Sequence, residues 1–354
     1  AALGEDIGWQ VGGVTYLIED DVDEARFAAW LEHAKAYQLD SRLLSIKETD
    51  ALAPGNRARH RGALHTPSDA RAEPRLAVPA MARSLRGTGV PIVERCAVRT
   101  IEQSGGRVSA VVTERGRIAC RTAVLAGGAW SRIMLEHLGL GLPQLQVIAS
   151  AQRTTAAPLI SESAIGAKAV AARRRADGGY TLARSGASRA EILPANLRHA
   201  RHYLPVLKRD WRTLKLRLGR PFLDALTEKG WDADSESPFE RCRVLDPAPD
   251  HGLLDDVLEA AQAMYPQLGH ARPAERWAGA IDVLPDEIPA LGPVPAIDGL
   301  LIATGFSGHG FGIGPAAGLV TAELAAGKAP MADLGAFGID RFGGTGSTRP
   351  ARDA

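Results

Sequence analysis

Cysteine is scarce in this chain. Its three residues, Cys96, Cys120 and Cys242, are odd in number and share no metal-binding or redox spacing, which predicts reduced thiols in a cytoplasmic protein and no metal centre. Surplus charge of either sign is missing too. The 42 basic and 41 acidic residues leave a net +1, so no electrostatic footprint for nucleic acid or an anionic membrane exists. No run approaches the roughly 18 consecutive apolar residues of a spanning helix, and no basic-then-apolar leader opens the chain. Neither integral membrane association nor secretion is therefore expected. The chain lacks an initiator Met and opens on a strand-bearing segment, as if cut at the front. Internal repeats are absent. His199 and His202, three apart in an Arg-rich helix, read as a solvated face rather than a metal site. The Arg173–Arg175 run leads into a turn signal at Asp177-Gly178-Gly179 and reads as a solvated hairpin shoulder.

Glycine, by contrast, is concentrated in one place. Gly305, Gly308, Gly310, Gly312 and Gly314 follow the short apolar run Leu300–Thr304 and precede a helical pattern ending at Gly327. That density exceeds what a single turn needs. A helix start facing a glycine-lined hollow offers unpaired N–H groups and a positive dipole end to a negative ligand group. The competing reading is a tight strand-to-helix connection with no ligand. Pro315 suits the first helical turn, and Gly327 the position just past the helix end. A full dinucleotide-binding unit also needs a second strand with an acidic residue about 20 residues on. None follows here, and no other segment supplies the unit.

At 354 residues, with 45% apolar and 23% charged residues, the chain is long enough for two globular domains. Val14–Ile18 reads as a strand. The helix after it has Phe27, Trp30, Leu31 and Ala34 on one buried face, with Asp21 and Glu24 as a cap. Short helices are expected after Ser45 and from Pro74 to Leu85, with Pro91–Arg95 returning as a strand. Val98–Glu102 and Val108–Thr113 form a hairpin across Ser104-Gly105-Gly106, Ile118–Cys120 adds a strand, and Thr122–Ala126 is an apolar strand running into Gly127-Gly128. Residues 144–245 read as a second sheet with helices, Leu253–Met264 as an amphipathic helix, and 343–354 as a disordered tail.

Three stretches in this order resemble one family: Val124-Leu-Ala-Gly-Gly-Ala-Trp-Ser131, Trp277-Ala-Gly-Ala-Ile-Asp-Val-Leu-Pro-Asp286 and Gly299-Leu-Leu-Ile-Ala-Thr-Gly-Phe-Ser-Gly-His-Gly310. It is the D-amino-acid oxidase superfamily of flavin-dependent amine and amino-acid oxidoreductases. Gly13-Val-Thr-Tyr-Leu17 and Gly62-Ala-Leu-His-Thr-Pro-Ser-Asp69 match it as well. The resemblance implies an α/β (α+β) fold: an incomplete FAD-binding Rossmann-like domain with an antiparallel meander (62–143 and 280–342), and an inserted mixed-sheet substrate domain (1–61 and 144–279). It implies FAD as cofactor, with Val98 near the adenine and Ala126, Gly127, Gly128 and Trp130 on the nucleotide side. Gly305, Ser307, Gly308, His309, Gly310, Gly312 and Ile313 would run beneath the flavin ring. The reaction implied is hydride transfer from an amine-bearing carbon to flavin N5, giving an imine that water hydrolyses.

Two departures qualify the likeness. The family's opening strand and G-x-G-x-x-G turn would precede residue 1, so a missing N-terminal segment or a partner subunit is an alternative, as is a catalytically silent fragment. A nicotinamide dehydrogenase is disfavoured because no complete dinucleotide unit exists. Family members often place an Arg after Trp-Ala-Gly-x, where Ile281 and Asp282 stand, and sarcosine-oxidase-like members place a Lys where Gly312 stands. With those carboxylate anchors gone, Arg220 or Arg217, on the alternating stretch Leu214–Pro221, becomes the candidate grip on a small-molecule amine or amino acid. Asp282 is a candidate for the substrate's amine cation. His309 serves either the flavin and substrate or local carbonyls, and Trp130 and Trp277 read as packing anchors.

Overall fold

A computed structural model describes residues 4–204, 214–217, 219, 222 and 230–343. Arg220 and the tail from 344 onward lie outside the described residues. The chain has a mixed α/β fold with several sheets, and it divides into two compact units. One comprises residues 1–92, 150–187 and 248–278, the other 93–149, 188–247 and 279–354.

In the first unit, Val14–Leu17 pairs antiparallel with Ala63–Thr66, which pairs antiparallel with Arg42–Leu44. On its other side Val14–Leu17 runs parallel to Ala164–Gly166, followed by Ala171–Arg174 and the start of Tyr180–Glu191. These pairings move the expected domain boundary. Residues 62–92 belong with 1–61 because Ala63–Thr66 is a middle strand of this sheet. Helix His251–Met264 lays Leu254, Val257, Ala261 and Met264 into the core, on the expected amphipathic stripe. They meet Leu17, Leu44, Ile165, Leu182 and Tyr265 there. Each fully buried aliphatic side chain of this kind contributes about 1.5–3 kcal/mol.

Other details differ from expectation for local reasons. Helix Asp21–Ala36 is capped by Asp20, whose side chain accepts from the Asp23 amide, and Trp30 is exposed while Phe27 and Ala34 are buried. The Arg173–Arg175 run is not a solvated shoulder. Arg173 and Arg175 both pair with the buried carboxylate of Glu73, which would be costly to bury without them.

In the second unit, Val98–Ser104, Arg107–Thr113 and Gly116–Ala119 form the expected meander. A second sheet has Leu300–Thr304 at its centre, antiparallel to Ala290–Pro293 and parallel to Ala123–Leu125. Its core gathers Ile101, Leu135, Leu142, Leu284, Leu300 and Ile302. Residues 91–95 form no strand: Pro91 cannot donate a ladder bond, and Arg95 takes a φ of 51°.

Candidate functional site

The glycine-dense segment is a turn followed directly by a helix. After Leu300–Thr304 the chain reverses at Gly305 (φ 76°) and Ser307 (φ 52°). An added Cβ at Gly305 would strike the buried Leu284 side chain, and the positive φ strains any other residue, so glycine is favoured here. Helix Gly310–Ala325 then starts with His309 as its N-cap, and no side chain caps it. The first turn therefore lies five residues earlier than Pro315 suggested. Pro315 sits within the helix, where its missing N–H leaves a gap in the ladder. Gly327 (φ 70°) ends the helix as expected, with its amide donating to Leu324 O.

The turn is held by a buried knot that the sequence motifs do not announce. Asp282 Oδ2 accepts from the Gly305 amide at 2.6 Å and lies 2.9 Å from Thr304 Oγ1. The Ser307 amide donates to the Asp282 carbonyl at 3.0 Å. Gln144, 3% exposed, places Nε2 at 3.1 Å from Gly128 O and 3.3 Å from Thr304 Oγ1, and its Oε1 accepts from the Arg132 amide at 3.1 Å. Thr304 is fully buried. The two glycine turns, 127–130 and 305–309, are thus tied to one carboxylate and one carboxamide. Asp282 Oδ2 is committed to this turn. Gln144 and Thr304 were missed because the sequence shows no spacing between residues 160 positions apart.

Two cavities open at this framework. One, of about 550 Å³, is lined by Ala126, Gly128, Asp282, Phe306, Gly310 and Gly314. The other, of about 520 Å³, collects Val98, Ala126, Gly127 and Trp130. Val124 and Ala126, in and just past the Ala123–Leu125 strand, contribute to the lining of both. Seven of the expected site residues, Val98, Ala126, Gly127, Gly128, Trp130, Asp282 and Gly310, are brought to these cavities. His309, Gly312 and Ile313 are exposed on the first turn of the helix. An added Cβ at Gly312 would meet no atom within 4 Å, whereas one at Gly310 would sit 3.0 Å from Phe306 Cβ. Arg217 is exposed on Leu214–Arg217, which pairs parallel with the end of Tyr180–Glu191. No group of His, Cys, Asp or Glu among the described residues could hold a metal ion.

The family model for FAD dependent oxidoreductases matches residues 1–324. The chain belongs to that family. The chain is similar to a glycine oxidase from Pseudomonas aeruginosa, 27% identical over 91% of this chain and 72% of that protein. Likeness to sarcosine oxidase subunit beta from Rhizobium meliloti is 29% over 74% of the chain, which spans half of that relative. The L-amino acid deaminase from Proteus myxofaciens, solved in complex with anthranilate, superposes with a TM-score of 0.91 at 29% identity, over 96% of this chain and 77% of that one.

FAD is the family's cofactor, and the residues present fit it. An elongated ligand needs room at more than one place, and the two cavities share Val124 and Ala126 in their linings. A flat ring needs bare backbone on one side, which the open space at Gly312 provides. Donors for an electron-rich ring edge are available at the uncapped helix start. No described helix is long and apolar enough to cross a membrane.

Proposed function

We propose that this protein oxidises the C–N bond of an amine or amino acid, with FAD as the electron acceptor. The observation that carries the reading is the pair of cavities that share Val124 and Ala126 in their linings, one of them running along the Gly310–Ala325 helix from its first turn. The names of the similar proteins, glycine oxidase, sarcosine oxidase subunit beta and L-amino acid deaminase, support amines and amino acids as the substrate class. When bound, FAD supplies the hydride acceptor and the protein supplies binding, orientation and electrostatics.

In this reading the Asp282–Thr304–Gln144 knot fixes the turn that aims the helix start. Amides there stabilise negative charge at the ring edge, and exposed His309 donates a hydrogen bond beside them. Among the described residues, the site contains no pair of groups arranged as a general acid and base, which suits an amine that arrives unprotonated. Arg220, with Arg217 as its neighbour, is proposed to grip a substrate carboxylate, because only a guanidinium makes a planar bidentate contact. Three free thiols support a cytoplasmic setting.

The test is a panel of amino acids, N-methylated amino acids and the matching hydroxy acids, scored by release of ammonia or methylamine and by flavin content. Turnover of at least one amine with one amine released per oxidation supports the assignment. Flavin-loaded protein that oxidises hydroxy acids but no amine contradicts it.

A further inference from the structure

The cavity that gathers Val98, Ala126, Gly127 and Trp130 has a far wall that none of the family motifs contains. Residues 231–244 supply it, through Phe239, Cys242, Arg243 and Val244. The segment is pinned at three points. Trp231 stacks on His137 with ring centroids 4.1 Å apart, and its Nε1 donates to Arg99 O at 2.7 Å. Arg99 in turn grips Glu240, with contacts of 2.7 and 3.1 Å, in a pair only 19% and 7% exposed. Arg243 makes a two-pronged contact to Glu114 at 2.6 and 2.7 Å. Glu240 also closes a capping box with Ser237, which starts the single helical turn Pro238–Arg241.

This arrangement sorts the segment's side chains. The Glu240 carboxylate is turned onto the meander, while Phe239, Cys242 and Val244 line the cavity. Glu240 and Glu114 are each held down to about 2, chiefly by the hydrogen bonds from Arg99 and Arg243, so both anchors are ionised throughout the neutral range. Cys242 is exposed in the ligand-free protein although it lines the cavity, so whatever fills the cavity covers the thiol. At about 520 Å³ the space falls within the range of about 300–1,000 Å³ typical of small-molecule pockets. Its lining is mainly apolar; Arg95 and Arg243 also border it, the Arg243 guanidinium being engaged by Glu114. An apolar space of this size suits a flat aromatic base.

We infer that residues 231–244 form the outer wall of the pocket for the adenosine half of FAD, with Cys242 on the ligand-facing side. This rests on the flavin reading above and adds to it a binding element outside the family motifs. Differential alkylation with N-ethylmaleimide tests it, read by mass spectrometry on the holoprotein and on flavin-depleted protein with or without ADP or riboflavin. Cys120, which does not line the cavity, serves as the internal reference.

The expected result is that FAD or ADP slows alkylation of Cys242 about tenfold or more while riboflavin does not, because only the adenosine half reaches this wall. Cys120 should be unaffected. Cys242→Trp, at an exposed position that tolerates bulk, should weaken FAD binding about tenfold, or about 1.4 kcal/mol, with an unchanged melting temperature. If FAD binds but leaves Cys242 alkylation unchanged, or if Cys242→Trp binds FAD like the parent, the assignment of this wall is overturned while the flavin reading stands. If neither FAD nor ADP binds at all, both fall.

Discussion

The 305–309 turn and the 231–244 segment are both irregular backbone in the same unit, yet they hold their shapes by opposite means. The turn relies on hydrogen bonds around buried Gln144 and Thr304, with the half-buried Asp282 carboxylate taking up the Gly305 amide. The segment relies on two ion pairs, the shielded Arg99–Glu240 and the more exposed Arg243–Glu114, plus a stacked Trp231. Buried hydrogen bonds lose the full desolvation penalty when one partner is removed. A partly exposed ion pair such as Arg243–Glu114 is screened and contributes little singly. The turn should therefore behave as a rigid part of the cofactor site, and the segment as a wall that can be loosened without unfolding its surroundings.

The largest effect is expected at Gly312. Its Cβ would meet only open space in the free protein, so Gly312→Val should fold normally, with an unchanged melting temperature, but lose flavin binding by about a hundredfold or more. Normal flavin content in that variant would remove the helix start from the cofactor site. Next comes Asp282→Ala, which strands the Gly305 amide. A loss of about 1.5–3 kcal/mol is expected, seen as weaker flavin binding together with a lower melting temperature. Gln144→Leu should cost about 1 kcal/mol by the same two measurements, since the amide is replaced by an apolar group of similar size.

The smallest effect is expected at Glu240→Gln, and it should depend on pH. Because Arg99 depresses the Glu240 carboxyl to about 2, the pair stabilises the fold fully above the ordinary carboxylate range near 4.5. That contribution is lost as pH falls toward 2. Hydrogen exchange of residues 231–244 should therefore quicken in acid in the parent and show a smaller step in the variant, where only the Arg243–Glu114 pair remains to titrate. Equal acid sensitivity in both would mean that the pair does not hold the segment.

The same contrast explains what could be read from the chain. Local devices were legible: the Ser45 capping box, the Ser104-Gly105-Gly106 hairpin, the amphipathic stripe of His251–Met264 and the turn at Gly305 all declare themselves within a few residues. Distant pairings were not. Glu240 meets Arg99 across 141 positions and Gln144 meets Thr304 across 160, and no periodicity encodes such partners. The boundary at residue 62 failed for the same reason, because strand Ala63–Thr66 takes its place from partners at 14–17 and 42–44. Pro315 misled the placement of the helix start because proline favours a first turn on average. Here the reversal at Ser307 had already begun the helix.

The central claim, that the buried turn presents a flavin to an amine-bearing carbon, is tested most directly by mixing the flavin-loaded protein with amino acids and amines in the absence of oxygen. The expected result is rapid bleaching of the oxidised flavin's visible absorption by at least one amine, with one equivalent of imine-derived carbonyl product per flavin. Flavin that is bound at full occupancy but bleached by no amine, while chemical reductants bleach it readily, would contradict the claim.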